Sequence, residues 1–289
     1  MLDFNTPSIS KTIDHWIEED IGKGDLTNSA ITQKNGTAYW IAKQEGVFCG
    51  VEIINTIFKK IDVKINCDFH ISDGEKFDKN QKLLKLSGPS RSLLASERIS
   101  LNIAMHLSGI STYTERLVSI LKGTNINLAD TRKTTPGLRI FEKYAFKCGG
   151  GINHRMGLYD AAMIKENHIA WTDNLKNAVK KIRLNSPFTT HIIIEAENIK
   201  QAKEAVLAGA DSILLDELNP ELIKKGVQEL RNLSINSVSK EINKNLIIEV
   251  SGINPKKISK YLIEGIDLIS TSSSITKSNW IDLSMRYID

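Results

Sequence analysis

Residues 191–216 read HIIIEAENIKQAKEAVLAGADSILLD. Two short β-branched runs, HIIIEA (191–196) and SILLD (212–216), flank a segment from Ile199 to Ala208 that Asn198 opens as an N-cap and Gly209 closes. A buried run, a capped helix and a second buried run make a βαβ unit with parallel strands. The rhythm extends in both directions, with strands expected at INLAD (126–130), AAMIK (161–165), LIIEV (246–250) and DLIS (267–270). Helices are expected at Asn174–Arg183 and at Pro220–Leu230, where Asn219 followed by Pro is a sound start, and Gly265 fits a helix end. Such a series predicts an incomplete (β/α) TIM-like barrel, whose active site is built at the carboxyl ends of its strands. Nearly every run ends in polar residues: Asp130-Thr131-Arg132, Lys165, Glu195, Asp216, Ser251, Ser270.

The first hundred residues follow another pattern. A helix at Lys11–Glu19 precedes alternating segments, TAYWIAKQEGVFCG and KINCDFHISDGEKF, which read as antiparallel strands with turns at Glu45-Gly46 and Asp73-Gly74. A helix from Ser90 to Leu107 leads into the barrel. The expected organisation is therefore α/β: an N-terminal domain over 1–108, a barrel over 109–275, and a tail, 276–289, packing back on the first domain. Residues 233–245, rich in Ser, Asn and Lys, read as a surface insertion.

Composition excludes several classes. With 41% hydrophobic and 25% charged residues over 289 positions, the chain can bury a sizeable core and is not disordered. Three cysteines without a C-x-x-C pair argue against a disulfide framework or structural zinc, so a reducing cytoplasm is expected. The N-terminus lacks a signal-peptide pattern and no run is long enough to span a membrane. The net charge of +4 is mild but concentrated: residues 131–168 hold seven Lys/Arg against three acids. Few aromatics interleave with these cations, which argues against a nucleic-acid surface and for a small, strongly anionic ligand.

Within that window, DTRKTTPGLR sets Arg132 and Lys133 on a turn, and CGGGINHRMGL places three glycines before His154 and Arg155, where close backbone approach to a ligand is expected. MIKENHI puts Lys165 at a strand end. Glu195 and Asp216, on successive strands, are candidates to share a divalent cation; magnesium favours few protein carboxylates together with waters and substrate phosphates. The loops EVSGINP and STSSSITKS, with Ser251, Gly252, Ser272, Ser273 and Ser274, suit a phosphate, because late barrel loops bind phosphate through backbone N–H groups.

These segments, with EEDIGKGDLTNSAI (18–31), GVFCG (46–50), LSGPSRSLLASERISLNIAMHLSGIST (86–112), LADTRKTTPGLRIFEKYAFKCGGGINHRMGLYDAAMIKENHI (128–169), EAEN (195–198), AGADSILLD (208–216), EVSG (249–252) and IDLSMR (281–286), resemble the quinolinate phosphoribosyltransferase family. The family is also called nicotinate-nucleotide pyrophosphorylase (carboxylating). The resemblance implies an N-terminal α/β sandwich joined to an incomplete α/β barrel, acting on quinolinate and phosphoribosyl pyrophosphate with Mg2+ to make nicotinate mononucleotide. It implies that Arg132, His154, Arg155 and Lys165 bind substrate carboxylates, and that Lys133, Lys165, Glu195 and Asp216 serve the phosphoribosyl pyrophosphate and metal. It implies a homodimer in which Arg98 is donated across the interface. Three departures concern phosphate binding and the strand end: the loop at Ser251-Gly252 is one residue short of the family's usual form, Ser272–Ser274 replace its glycine-bearing stretch, and Glu217 stands where an Asn usually follows the LLD aspartate. A phosphoribosyltransferase using nicotinate is the alternative within the same chemistry; the number of cations favours two substrate carboxylates.

Overall fold

The structure is a computed structural model that describes residues 6–172, 174–235 and 245–288. In chain order its first half contains α1 (Pro7–Ile21), β1 (Asn35–Ala42), β2 (Gly46–Val47), α2 (Val51–Ile61), β3 (Asn66–Phe69), β4 (Lys76–Phe77), β5 (Lys82–Pro89), α3 (Ser90–Ile120) and β6 (Asn127–Ala129). Then come α4 (Arg139–Cys148), β7 (Ala162–Ile164), α5 (Glu166–Ile169), α6 (Leu175–Asn185), β8 (Ile192–Ala196), α7 (Ile199–Leu207) and β9 (Ser212–Asp216). The remainder is α8 (Pro220–Ile235), β10 (Ile247–Ser251), a 3-10 turn (Pro255–Tyr261), β11 (Leu268–Ser270), α9 (Ser273–Thr276) and β12 (Leu283–Ile288). Two compact units result: 1–115 with 135–150 and 274–289, and 116–134 with 151–273.

The first unit is built on an antiparallel sheet in the order β12-β1-β5-β3. Alternation along β1 buries Ala38, Trp40 and Ala42 on one face. Helix α2 presses Ile53, Ile54, Ile57 and Phe58 into the same core, and the Trp40 and Phe58 rings lie 6.2 Å apart. The N-terminus of α2 is satisfied from a distance: Asp73 accepts from the Gly50 and Val51 N–H groups at 2.6 and 3.0 Å, and from Tyr144 Oη at 2.7 Å. The C-terminal strand β12 pairs with β1 from Thr37↔Ile288 to Ala42↔Leu283.

Helix α3 continues to Ile120, well past the expected end at Leu107. Gly109, which reads as a helix breaker, sits inside α3 because its missing side chain admits the Asn279 carbonyl; a Cβ there would lie 2.3 Å from that oxygen. A similar correction applies to the Cys148-Gly149-Gly150-Gly151 run. Gly149 packs against α3, where a Cβ would meet the Ser111 carbonyl oxygen at 2.4 Å, and Gly150 turns the chain with φ +89°. These two glycines serve helix packing and the turn after α4 rather than approach to a ligand.

The second unit is a six-stranded parallel sheet, β6-β11-β10-β9-β8-β7, and each expected strand appears within a residue or so of its predicted place. β6 and β7 stand at the two ends of that strand order, which makes the barrel incomplete. Asn174, Asn198 and Asn219 cap their helices by accepting the N–H of Asn177, Gln201 and Leu222 at 2.8–2.9 Å. Period-two alternation divides the strands: Ile192, Ile194, Ile213, Leu215, Ile248 and Val250 are buried, with α7 packed on β8 and β9, while Glu195, Leu214, Asp216, Glu249 and Ser251 turn to the other side. Of the surface insertion read at 233–245, residues 236–244 lie outside the described residues. No helix among the described residues is long and apolar enough to cross a membrane.

Candidate active site

The carboxyl ends of the six strands surround a cavity of about 310 Å³ in the second unit. Its lining includes Arg132, Lys133, His154, Arg155, Lys165, Glu195, Asp216, Glu249, Ser251 and Ser270. A larger recess, about 660 Å³, lies on the first unit around Lys34, Lys64 and Lys85, but its lining has no carboxylate.

Each cation is placed by local structure. Thr131 Oγ1 accepts the Lys133 N–H at 3.1 Å, tightening the turn that carries Arg132 and Lys133. Farther along, the Thr135 N–H donates to Glu142 Oε2 at 2.8 Å while His106 Nε2 bonds the other oxygen at 2.9 Å. Burial works against the Glu142 charge, but these two partners hold its carboxyl below the usual range. Asp130, fully buried beyond β6, accepts the His154 N–H at 2.8 Å and Asn153 Nδ2 at 2.7 Å, fixing the loop that carries His154 and Arg155. Arg155 Nη1 donates to the Ala161 carbonyl at 2.9 Å. Burial first, and the neighbouring Arg132 charge second, push the Arg155 guanidinium below its ordinary range. Two crowded cations in a partly desolvated cavity favour an anionic ligand.

Lys165 follows β7 and its N–H donates to His168 Nδ1 at 3.0 Å, so that histidine holds the backbone at the strand end. The Lys165 ammonium pairs with Glu195 across β7 and β8. Asp216 instead accepts the Ser251 hydroxyl. Register separates the two carboxylates: Glu195 faces Leu214 across the β8–β9 pair, and Asp216 lies two residues farther along the same face. They are diagonal rather than direct neighbours. No group of three or more His, Cys, Asp or Glu able to hold a metal occurs among the described residues. A divalent cation held by these two carboxylates alone would have to complete its shell with water and phosphate oxygens.

Of the loop residues, Ser251 lines the cavity and Gly252 follows with φ +72°; a Cβ there would lie 3.1 Å from Asp216 Oδ1. The segment after this loop, Pro255–Tyr261, forms a seven-residue 3-10 turn. Ser273 is buried and its hydroxyl pairs with Thr271 at 2.7 Å, Ser274 is fully buried in the first unit, and Ser272 and Gly252 are outside the lining. Arg98 is exposed on α3 of the first unit. Sequence reasoning passed over Glu249, an acidic residue in the middle of the buried run LIIEV; a charge between Ile248 and Val250 was the available signal.

Comparison with known proteins identifies the family. The family model described as quinolinate phosphoribosyl transferase, C-terminal domain, matches residues 110–286, and the N-terminal domain model matches residues 25–108. A probable nicotinate-nucleotide pyrophosphorylase [carboxylating] of Synechocystis is 35% identical over 97% of this chain and 92% of its own length. Its counterpart of the same name in Bacillus subtilis is 36% identical over 95% and 96%. A crystal structure of NadC from Streptococcus pyogenes superposes with a TM-score of 0.90 at 33% identity, covering all of both chains. With both domain models matched in order and relatives above 30% identity along nearly the whole length, this chain belongs to the quinolinate phosphoribosyltransferase family.

Proposed function

We propose that this chain converts quinolinate and phosphoribosyl pyrophosphate to nicotinate mononucleotide, carbon dioxide and pyrophosphate, a step of NAD biosynthesis. The observation that supports the reading best is the cavity itself, where Arg132, Lys133, His154, Arg155 and Lys165 converge while Glu195 and Asp216 stand at neighbouring strand ends. Quinolinate carries two carboxylates, and each charge-assisted hydrogen bond to them contributes about 1.5–3 kcal/mol.

Arg132, Arg155 and Lys165 hold the two carboxylates, with the His154 ring lining the pocket beside them, and so aim the pyridine nitrogen at the anomeric carbon. Its lone pair forms the N–C bond as the bond to pyrophosphate breaks, through an oxocarbenium-like state that the carboxylates Glu195 and Asp216 favour electrostatically. Lys133 neutralises charge on the departing group. The quaternised ring then accepts the electron pair of the 2-carboxyl bond as carbon dioxide leaves, and a proton restores the ring C–H. Glu195 and Asp216 are the residues that would hold magnesium, which when bound supplies neutralisation of the pyrophosphate oxygens. The Ser251-Gly252 turn and the backbone N–H groups around Ser272–Ser274 are the proposed seat of the 5′-phosphate; hydroxyls committed inside the fold, such as that of Ser273, contribute less.

The proposed assembly is a cytoplasmic homodimer in which Arg98 of the partner subunit completes each site. Release of carbon dioxide from carboxyl-labelled quinolinate, dependent on both phosphoribosyl pyrophosphate and magnesium, tests the reading. Turnover of nicotinate in place of quinolinate would instead favour a non-decarboxylating transferase.

A further inference from the structure

Glu249 poses a physical problem. It lies on β10 between Ile248 and Val250, is 1% exposed, and lines the cavity that otherwise gathers cations. Burying a carboxylate is expensive unless its lone pairs are used. Yet Glu249 Oε1 has no hydrogen-bond partner among the described residues. Its other oxygen, Oε2, lies 3.3 Å from His154 Nε2.

The histidine explains the carboxylate. His154 Nδ1 accepts the Arg155 N–H at 2.8 Å, so Nδ1 carries no proton and the ring proton of the neutral imidazole sits on Nε2, facing Glu249. The His154 backbone is itself anchored on Asp130. A half-turn of the ring would put carbon atoms in both places and lose both contacts. Main chain, Nδ1 and Nε2 are thus each tied to a different element: Asp130 beyond β6, the Arg155 amide, and β10.

We infer that Glu249 is a positioning residue for the dicarboxylate substrate, acting through His154 by holding its Nε2–H tautomer and ring plane beside Arg155. A packing role alone would be met by an apolar residue, as at the flanking Ile248 and Val250. A buried carboxylate whose Oε2 lies 3.3 Å from the imidazole fits an orienting role instead. The inference rests on the proposed use of this cavity for quinolinate.

Two variants and two measurements test it: Glu249→Gln, which keeps shape and one acceptor oxygen, and Glu249→Leu, which removes the acceptor. Nitrogen-15 spectra of histidine-labelled protein report the His154 ring without any substrate. The parent should give a slowly exchanging, downfield Nε2 proton, shifted upfield in Glu249→Gln and lost to exchange in Glu249→Leu. In kinetics, KM for quinolinate should rise about tenfold in Glu249→Leu and less in Glu249→Gln, with KM for phosphoribosyl pyrophosphate changed less than about twofold. A His154 proton that is the same in all three proteins, or equal changes in both KM values, would overturn the inference. If Glu249→Leu does not fold, the Glu249→Gln shift and its KM split decide alone. A parent that turns over no quinolinate would defeat the functional reading, and the ring spectra would still decide whether Glu249 holds His154.

Discussion

Arg155 sits beside Arg132 in a partly dehydrated cavity, and that proximity is unfavourable until an anion arrives. Groups arranged at the expense of the empty state are the ones whose loss should reduce activity more than stability. Arg132→Ala, Arg155→Ala and Lys165→Ala should each lower kcat/KM for quinolinate by roughly a hundredfold or more. Their circular dichroism and melting temperature should stay close to the parent's, and parent-like turnover in any of the three contradicts the assignment. The acidic side of the cavity separates differently. Because Glu195 is held by Lys165 and Asp216 by Ser251, Glu195→Gln and Asp216→Asn should fold normally yet need more magnesium for half-maximal turnover. Metal titrations that overlay the parent's would make the pair purely structural.

At the scale of elements, two positions show how backbone geometry supports the site. Gly149 has room for no side chain, since a Cβ would approach the Ser111 carbonyl oxygen to 2.4 Å. Gly149→Ala should therefore push α4 off α3 and cost about 2 kcal/mol or more, read as a shifted denaturant midpoint. Glu217, directly after Asp216, adopts a left-handed conformation with φ +55°. This accounts physically for the Asn that the family usually carries there, since Asn tolerates that region and Glu does so at a cost. Glu217→Asn should raise stability by about 1 kcal/mol and the melting temperature by roughly 2 °C. An unchanged or lower melting temperature would mean that the Glu217 side chain contributes something the backbone argument misses.

For the molecule as a whole, the decisive question is whether a site is completed by a second copy. Arg98 lies on α3 of the first unit, whereas Lys133 lines the cavity of the second. If Arg98 of the partner subunit serves each cavity, mixing inactive Arg98→Ala with inactive Lys133→Ala should produce about half heterodimers by random exchange. Each heterodimer would hold one intact site and one carrying both changes, so roughly a quarter of the parent activity should return. A tagged and purified heterodimer as inactive as either variant would place Arg98 in its own chain's site or outside catalysis.

The six parallel strands and the helices opened by Asn174, Asn198 and Asn219 were legible in the sequence. They rest on local rules: β-branched runs, side chains that cap the nearest N–H groups, and glycine at helix ends. So were the cations and carboxylates at strand ends, because a strand must turn polar where it leaves a barrel. Helix α2 went unread although Ile53, Ile54, Ile57 and Phe58 carry its pattern, and α3 was cut short at Leu107. Gly109 and Gly149 look like breaks until the Asn279 and Ser111 carbonyls that press on them are known. Glu249 and its hold on His154, and the diagonal placement of Glu195 and Asp216, were decided by tertiary structure alone. Strand register and the approach of distant segments set those distances, and neither is encoded in the spacing of residues along one strand.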